Sequence, residues 1–282
     1  MRCAWQSYLN LVPVWLRQNV DKYGKEMLLE LRLRVDEPPE MVMTNGNLWL
    51  DGVIKNEDLK FCINVASRYS PWAARTSAFG FITAPGGHRI GICGNVVSDS
   101  KTLSGLQEVT SVCIRVSRNI VGIAKNAIKS QGSVLIIGKP GSGKTTFLRD
   151  YIRELSEQDA DTISVVDERE EIFPRIGEKF CFSPGRKTDV ISGCKKVSAI
   201  EMLLRNMTPS IIAVDEITAE EDCKALLHAG WCGTRLIATA HAGSKQDLLS
   251  RPIYRPLLES QLFTTVIVLH DDRSWHSERM RI

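Results

Sequence analysis

The sequence lacks the features that would place it in several specialised classes. Its eight cysteines include no C-x-x-C pair, so free, mostly buried thiols in a reducing compartment are expected rather than disulfides or a zinc site. No apolar run approaches the roughly 20 residues that span a bilayer. Pro13 interrupts the short run "LNLVPVWL", which favours an amphipathic helix over a signal peptide. We therefore expect a cytoplasmic chain that can still dock on a membrane protein.

The sequence also lacks a strong charge of either sign. Its 36 basic and 33 acidic side chains leave a formal net charge of +3, which is too small to indicate nucleic-acid or membrane binding by itself. At 282 residues the chain exceeds the size at which one hydrophobic core usually suffices, so two domains are expected. Binding partners must therefore be inferred from individual sites and not from the overall charge.

The first third of the chain has the patterns of a small α+β domain. Residues 28–35, "LLELRLRV", alternate apolar Leu29, Leu31, Leu33 and Val35 with polar residues, which predicts a half-buried strand. Asn45-Gly46 between apolar flanks predicts a hairpin, and Pro85-Gly86-Gly87 predicts a second one. A helix is expected over residues 56–70. We assign residues 1–119 to this domain.

From about residue 120 the pattern changes to that of an α/β layer. Residues 119–130, "NIVGIAKNAIKS", are typical of a helix. Short, continuously apolar runs then alternate with helix-like segments; the runs are "SVLIIG", "TISVVD", "SIIAVDE", "TRLIATAH" and "FTTVIVL". Continuous apolarity indicates strands that are buried on both faces. Residues 120–282 are therefore predicted to form a predominantly parallel sheet covered by helices.

A complete phosphate-binding motif, G-x-x-x-x-G-K-[ST], follows the first of these runs as "GKPGSGKT". Gly141 and Gly143 allow backbone amides to turn towards anionic oxygens, and the following helix directs its positive end at the phosphates. Lys144 reaches the β and γ oxygens, and the Thr145 hydroxyl ligates magnesium. The predicted ATP-binding residues are Gly138, Lys139, Pro140, Gly141, Ser142, Gly143, Lys144, Thr145 and Thr146.

Two further strands end in similar acidic strings, "SVVDEREEI" and "IIAVDEI". The second supplies an acid to hold magnesium through water, Asp215, and an adjacent acid to act as catalytic base or to position water, Glu216. His241 follows a third buried run, so it is expected at the same sheet edge, where it can sense the γ-phosphate. The sequence alone is compatible with two interpretations of the charged residues 167–171: a functional acidic segment, or a charged face exposed to solvent.

The order of these motifs resembles that of the secretion ATPase family, the motors of type II and type IV secretion. The phosphate loop, "VVDEREEI", "IIAVDEI" and "ATAHA" are similar to its Walker A, Asp box, Walker B and His box. Within the family, the chain resembles the stage III sporulation AA branch through strings spread over nearly its whole length: "LELRLR", "GFITAPGGHRIGICG", "IRVSR", "GKPGSGKTTFLRD", "VVDEREEI", "MTPSIIAVDEI" and "GTRLIATAHA".

The resemblance implies a RecA-like P-loop ATPase core at 120–282, preceded by the smaller α+β domain. It further implies that Asp167 serves the metal, that Glu168 and Glu171 take part in catalysis, and that Arg169 is their counter-charge, while Glu170 matches no family position and is solvated. In such motors arginines of the N-terminal domain reach the phosphates. The candidate arginine fingers are Arg89, Arg115 and Arg118.

The function implied is a Mg²⁺-dependent, ATP-hydrolysing motor that energises a membrane channel or secretion complex during spore formation. It would self-assemble into a ring, expected to be a hexamer, and would be recruited peripherally by an integral membrane component. No nucleic-acid partner is expected. Two alternatives remain at this point, a nucleotide-regulated scaffold with little turnover and a nucleic-acid-associated RecA-like ATPase.

Overall fold

A computed structural model describes residues 3–67, 80–99, 102–128, 132–158 and 161–280. The chain forms two compact units. The first contains Met1–Asn119 together with Pro174–Phe182, and the second contains Ile120–Phe173 and Ser183–Ile282. The sequence predicted one continuous division between residues 119 and 120; the short segment Pro174–Phe182, which that division assigns to the second domain, packs as part of the first unit.

The first unit is built on a six-stranded, wholly antiparallel sheet in the order β3-β2-β1-β6-β5-β4. Its strands are β1 (Leu28–Arg34), β2 (Glu40–Met43), β3 (Gly46–Trp49), β4 (Phe81–Ala84), β5 (His88–Asp99) and β6 (Thr102–Arg115). Leu31 and Leu33 are buried as their alternation predicts. Leu29 is exposed instead, because the pairing of β1 with β2 shifts register between Leu28 and Glu30 and turns Leu28 inward.

Both predicted hairpins are confirmed. Met43 pairs with Gly46, so the turn residues are Thr44 and Asn45, one position earlier than the Asn-Gly pair suggested. In the second hairpin Ala84 pairs with His88 across Pro85-Gly86-Gly87. Gly87 has a φ of 76°, and a Cβ there would lie 3.0 Å from the rings of Phe182 and Pro174. This turn therefore needs glycine both for its backbone conformation and for the close approach of 174–182.

In its described residues the first unit also has three α-helices: α1 (Trp5–Leu11), α2 (Arg17–Gly24) and α3 (Asn56–Ser67). The predicted amphipathic helix is α1, which ends before Pro13 and buries Tyr8 and Leu11 completely. Of "LNLVPVWL", only the turn residues Val14 and Trp15 are substantially exposed hydrophobics. Helix α3 buries Leu59, Cys62 and Ala66, as their spacing predicts. Residues 68–70 of the predicted helix lie outside the described residues. A two-stranded hairpin, β9 (Arg175–Ile176) with β10 (Lys179–Phe180), also belongs here.

The helix predicted over residues 119–130 is wrong. The described part of that segment forms only a 3₁₀ turn at Lys125–Ala127. Gly122 has a φ of 90°, and the amides of Gly122 and Ala124 donate to the carboxylate of Asp150 at 3.0 and 2.9 Å. The Asp150 carboxylate therefore accepts from N–H groups that a helix over this segment would use for its own hydrogen bonds.

The second unit contains a seven-stranded sheet in the order β11-β8-β12-β13-β7-β14-β15. All neighbours pair in parallel except β14 and β15. Its strands are β7 (Ser133–Gly138), β8 (Ile163–Asp167), β11 (Thr188–Ser192), β12 (Ile211–Val214), β13 (Arg235–His241), β14 (Phe263–Leu269) and β15 (Trp275–Arg279). Every residue of β7, β8 and β12 is buried. The α/β fold class predicted from the continuous apolar runs is confirmed.

The helices of this unit are α4 (Lys144–Glu157), α5 (Lys196–Asn206), α6 (Glu220–Trp231), α7 (Lys245–Ser250) and α8 (Arg255–Glu259). Strand β13 lies between β12 and β7, and its last residue, His241, pairs with Gly138 at the end of β7. Val166 pairs with Val214, which pairs with Ala238. The carboxyl ends of β7, β8, β12 and β13 therefore share one edge of the sheet, where ligands gather in such folds.

Two smaller expectations concern the cysteines and the membrane. All eight cysteines are unpaired, but only Cys62 and Cys223 are buried, and Cys93 and Cys232 are exposed. The expectation of mostly buried thiols is therefore wrong. Over the described ranges, none of the helices has the length and apolar character needed to cross a membrane.

Candidate active site

The phosphate-binding loop joins β7 to α4. Gly141 and Gly143 have φ angles of 80° and 93°, and a Cβ at either position would have nothing within 4 Å. Glycine is needed there for the left-handed backbone and not for space. Gly138 is the opposite case, because a Cβ there would lie 2.4 Å from the Ser142 hydroxyl. The loop's glycines therefore serve two different purposes, conformation and close packing.

The residues of the loop fit an anionic ligand such as a nucleotide phosphate. The Ser142 hydroxyl is buried and has no hydrogen-bond partner within the part of the chain that the structure describes. Buried hydroxyls are nearly always paired, so the Ser142 hydroxyl in this loop is available to a phosphate oxygen. Helix α4 runs for 14 residues from a left-handed N-cap at Gly143, so its positive end faces the loop.

Lys144 is held inside the loop by three acceptors. Its ammonium group donates to the carbonyls of Gly138 and Lys139, both at 2.9 Å, and to Nδ1 of His241 at 3.0 Å. Burial lowers the pKa of Lys144, while Asp215 and Glu216 act in the opposite direction. Lys139 lies at the exposed side of the loop, where it forms an ion pair of 2.8 Å with Asp271.

Hydroxyl groups join the loop to the acids after β12. Thr145 donates to Oδ2 of Asp215 at 2.7 Å, and Thr239 of β13 donates to Oδ1 at 2.6 Å. Because the Thr145 proton is directed at Asp215, the lone pairs of the Thr145 oxygen remain for a cation. Asp215 has both oxygens occupied by hydroxyl donors, which suits an acid that holds magnesium through water. The residues present therefore fit Mg²⁺, and Thr145 is the side chain that would ligate it directly.

His241 links Lys144 to Glu216. Its Nε2 lies 2.7 Å from Oε1 of Glu216, and its Nδ1 faces the Lys144 ammonium, which can only donate. Nδ1 must accept, so Nε2 carries the proton and donates it to Glu216. The other Glu216 oxygen, Oε2, accepts from Arg169 at 3.1 Å. The four side chains form one row from the phosphate loop to the acidic box: Lys144, His241, Glu216 and Arg169.

Asp167 has a different environment from the one its predicted metal role implies. It is 2% exposed, and its carboxylate accepts the backbone N–H groups of Glu171, Ile172 and Phe173 at 2.8 to 3.1 Å. Burial raises the pKa of Asp167 to about 7, against the opposing effect of the Phe173 and Ile172 amides. These contacts shape the turn after β8, and the role of Asp167 at a metal stays a prediction.

The other charged residues of the segment 167–171 contact different partners outside the segment. Arg169 pairs with Glu216 at 3.1 Å, so the expectation that it is a counter-charge within the box is not what the contacts show. Glu168 pairs with Lys196 at 2.7 Å, and Lys196 also approaches Asp222 at 3.4 Å. Glu170 is half-buried with a φ of 54°, because the turn bends back on Asp167 there. It is thus less solvated than predicted.

One small pocket brings the two acidic strings together. Its volume is about 20 Å³, enough for roughly one water molecule. Glu170 does not line it, whereas Glu171 does; the lining residues are Asp167, Glu168, Arg169, Glu171, Lys196, Asp215 and Glu216. The predicted site residues of the second unit therefore lie at one edge of the sheet. Pro140 lies in the phosphate loop, and Thr146 lies in the first turn of α4.

The candidate arginine fingers all lie in the first unit. Arg89 and Arg115 are paired across β5 and β6. Arg115 forms an ion pair of 3.1 Å with Glu30, and Arg89 stacks over the Phe81 ring at 3.9 Å. Arg118 donates to the carbonyl of Leu28 at 2.6 Å, which ties it to the backbone of β1. Their role at the phosphates stays a prediction.

Sequence reasoning missed two residues of this site. Thr239 lies in "ATAHA", of which only His241 is predicted as a site residue; the available signal was a hydroxyl two residues before the histidine on the same strand. Lys196, which is only 6% exposed, begins helix α5 and holds Glu168. No sequence signal distinguishes it from the adjacent Lys195.

Comparison with known proteins gives consistent results. Residues 7–277 match the family model "Sporulation stage III, protein AA". The chain is 33% identical over 250 residues to "Stage III sporulation protein AA" of Bacillus subtilis (strain 168), covering 85% of this chain and 81% of that protein. It is 24% identical over 263 residues to "Protein SEEDLING PLASTID DEVELOPMENT 1" of Arabidopsis thaliana, covering 89% of this chain but 36% of that protein.

Two solved structures share the fold. The Legionella pneumophila ATPase DotB matches with a TM-score of 0.53 at 16% identity, covering 95% of this chain and 80% of that one. The pilus retraction motor PilT with bound ADP matches with a TM-score of 0.59 at 15% identity, covering 89% and 76%. At these identities the likeness concerns the fold alone, which is that of the secretion ATPases. The resemblance read from the sequence motifs is confirmed.

Proposed function

The chain belongs to the Sporulation stage III, protein AA family, and we propose that it is a Mg²⁺-dependent ATPase that acts as a secretion-type motor. The observation that supports this most directly is the row of polar side chains at the end of β7, β12 and β13. Lys144, Thr145, Asp215, Glu216 and His241 are connected there by hydrogen bonds of 2.6 to 3.0 Å. The hydroxyl of Thr239 joins Asp215 to the backbone amide of Glu216.

Each of these residues has a role that its contacts support. The loop amides, Ser142 and Lys144 would hold the phosphates, and Thr145 with Asp215 would hold magnesium. A bound Mg²⁺ supplies neutralisation of charge on the phosphate oxygens. Glu216 is the general base, since its carboxylate can accept a proton from water at the same edge. His241 donates Nε2–H to Glu216 and accepts from Lys144, so it couples the loop to the base.

The biological setting is proposed from the relatives. The name of the Bacillus subtilis relative, "Stage III sporulation protein AA", supports a role in spore formation. The partner that we propose is an integral membrane component of a channel or secretion complex, which follows from the resemblance of the sequence motifs. We also propose self-assembly into a ring, a hexamer, as the resemblance of the sequence motifs to the secretion ATPases implies; in this ring Arg89, Arg115 or Arg118 would reach a nucleotide. We propose no nucleic-acid partner and a peripheral, cytoplasmic location.

The proposal is tested by removing the Lys144 ammonium. Lys144→Ala is expected to abolish ATP hydrolysis by the purified chain and to weaken nucleotide binding, because the loop loses its only buried cation among the described residues. Lys224→Ala, at an exposed position of α6, is the matched control and should retain the parent rate. Equal hydrolysis by Lys144→Ala and the parent chain would refute the proposed activity.

A second variant separates a motor from a nucleotide-regulated scaffold. Glu216→Gln removes the proton acceptor and preserves the shape of the side chain, so ATP should still bind while hydrolysis is lost. A motor then loses its biological activity, whereas a scaffold keeps it. Stimulation of hydrolysis by DNA or RNA that decreases with salt would instead favour a nucleic-acid-associated ATPase.

A further inference from the structure

Thr239 lies at the centre of the site, between the two acids that follow β12. Its side chain is fully buried. The backbone N–H of Glu216 donates to the Thr239 hydroxyl oxygen at 2.7 Å, and the hydroxyl proton is directed at Oδ1 of Asp215 at 2.6 Å. An amide can only donate, so the hydroxyl oxygen accepts from Glu216 and its single proton is left for the Asp215 carboxylate, which accepts it.

The hydroxyl takes the place of a missing sheet hydrogen bond. The parallel pairing of β12 with β13 ends at Val214 and Ala238, and beyond it the amide of Glu216 donates to the Thr239 side chain. The next amide, Ile217, donates to the backbone carbonyl of Thr239 at 2.9 Å. Thr239 therefore binds two successive amides beyond the end of β12, one with its side chain and one with its main chain.

This anchorage coincides with an unusual backbone conformation. Glu216 has a φ of 53°, in the left-handed region that is unfavourable for residues with a side chain. Such conformations persist only where the surroundings determine them, and they cluster at functional sites. Thr239 holds the amide of the residue that adopts this conformation, so its hydroxyl determines where the Glu216 side chain begins.

The same hydroxyl fixes the rotation of the neighbouring acid. Oδ1 of Asp215 accepts from Thr239, and Oδ2 accepts from Thr145 of the phosphate loop at 2.7 Å. Two threonines from different elements therefore hold the carboxylate from opposite sides. We propose that Thr239 is a positioning residue that sets the proposed base, Glu216, and the proposed metal-side acid, Asp215, in a fixed relation to the phosphate loop. The proposal rests on the proposed ATPase function of this site.

The test compares two substitutions that differ only in the hydroxyl. Thr239→Val keeps the shape and removes the hydroxyl, whereas Thr239→Ser keeps the hydroxyl. Thr234→Val is the matched control, because Thr234 is buried beside the opposite end of β13 and its hydroxyl donates to the Pro209 carbonyl at the long distance of 3.5 Å. All variants are measured as the full chain.

We expect Thr239→Val to lower kcat by about 10- to 100-fold, the usual effect of removing a group that orients a metal-site residue. Binding of ATP without magnesium should change little, because the loop amides and Lys144 are intact. Thr239→Ser and Thr234→Val should retain the parent kcat. Restoration by serine distinguishes positioning by the hydroxyl from a general packing role.

Hydrogen exchange at the Glu216 amide supplies a measurement that does not depend on turnover. Exchange should be faster in Thr239→Val than in the parent chain and unchanged in Thr239→Ser and Thr234→Val. If the parent chain hydrolyses no ATP, the proposed function fails, and the exchange rates alone decide the role of Thr239. Equal exchange in Thr239→Val and the parent chain, or equal kcat where the parent is active, overturns the inference.

Discussion

Two neighbouring strands of the second unit end in the same three residues, Val-Asp-Glu, yet the aspartates have opposite environments. Asp167 after β8 is sequestered by three backbone amides of its own turn. Asp215 after β12 is held by two threonine hydroxyls from other elements. Local sequence alone does not separate them; position in the sheet does, because β12 lies beside β13 and only one strand away from β7, whereas β8 lies farther out.

The turn after β8 explains the difference. The amide of Glu170 bonds to the carbonyl of Asp167 at 3.2 Å, and the left-handed conformation at Glu170 sends the chain back across its own carboxylate. The oxygens of Asp167 are therefore used within the turn. Asp215 is followed by a residue whose amide is taken by Thr239, so its oxygens remain for the hydroxyls around the phosphate loop.

The largest expected effect comes from exchanging each aspartate for asparagine. Asp215→Asn should lower kcat by about 10- to 100-fold, because one amide group cannot accept from both of the hydroxyls that orient it. Asp167→Asn should lower the free energy of unfolding by roughly 1 to 3 kcal/mol, because the amide NH₂ faces backbone donors, and should affect kcat less. ATP hydrolysis and urea unfolding of both variants measure this difference. Equal changes in kcat and in the free energy of unfolding for the two variants would contradict it.

The stability of the protein should depend on pH through the ionisation of Asp167. Its pKa is raised by burial to about 7, above that of an unfolded aspartate, so between about pH 4 and 7 the folded state binds the proton that the unfolded state has released. The free energy of unfolding should therefore fall as pH rises through this window, by up to about 1.4 kcal/mol per unit.

Urea unfolding between pH 5 and 8 tests this expectation. The parent chain should lose stability relative to Asp167→Asn as pH increases, because the variant cannot ionise at that position. A difference between the two chains that stays constant across the range would contradict the assignment to Asp167.

The smallest expected effect lies within the acidic box itself. Glu171 lines the pocket shared with Asp215 and Glu216, and Glu170 does not. Glu171→Gln should reduce kcat several-fold, whereas Glu170→Gln should stay within about twofold, the range of substitutions away from special features. Equal losses at the two positions would show that the box acts as a diffuse negative charge and not through a specific carboxylate.

Much of the site could be predicted because its motif residues act through their own backbone and chemistry. The loop from Gly138 to Thr145 needs left-handed glycines, one lysine and one hydroxyl in fixed order, and the structure places all of them around one point. Thr239 and Lys196 were missed because nothing in their local strings distinguishes a partner of an acid from an ordinary strand threonine or surface lysine. Their roles arise from residues 23 or more positions away.

The helix expected at residues 119–130 was wrong for a similar reason. Its apolar spacing is helical, but two of its amides are taken by Asp150, which is 28 residues away in the chain from Gly122. Local propensity is a weak preference that a buried carboxylate can override. The strands of the parallel sheet were predicted correctly because continuous apolar runs leave few other ways to bury them.

By itself, the sequence determined the α/β class, the phosphate loop and the family, since periodicity and short motifs are properties of neighbouring residues. The order of the motifs already favoured the second Val-Asp-Glu as the one that faces the phosphate loop, and only the tertiary structure showed that the first closes its own turn. The tertiary structure also decided that Arg169 pairs with Glu216 and that Thr239 holds both acids. Strand order sets those distances, and the hydrogen bonds of a carboxylate depend on which donors lie within about 3 Å.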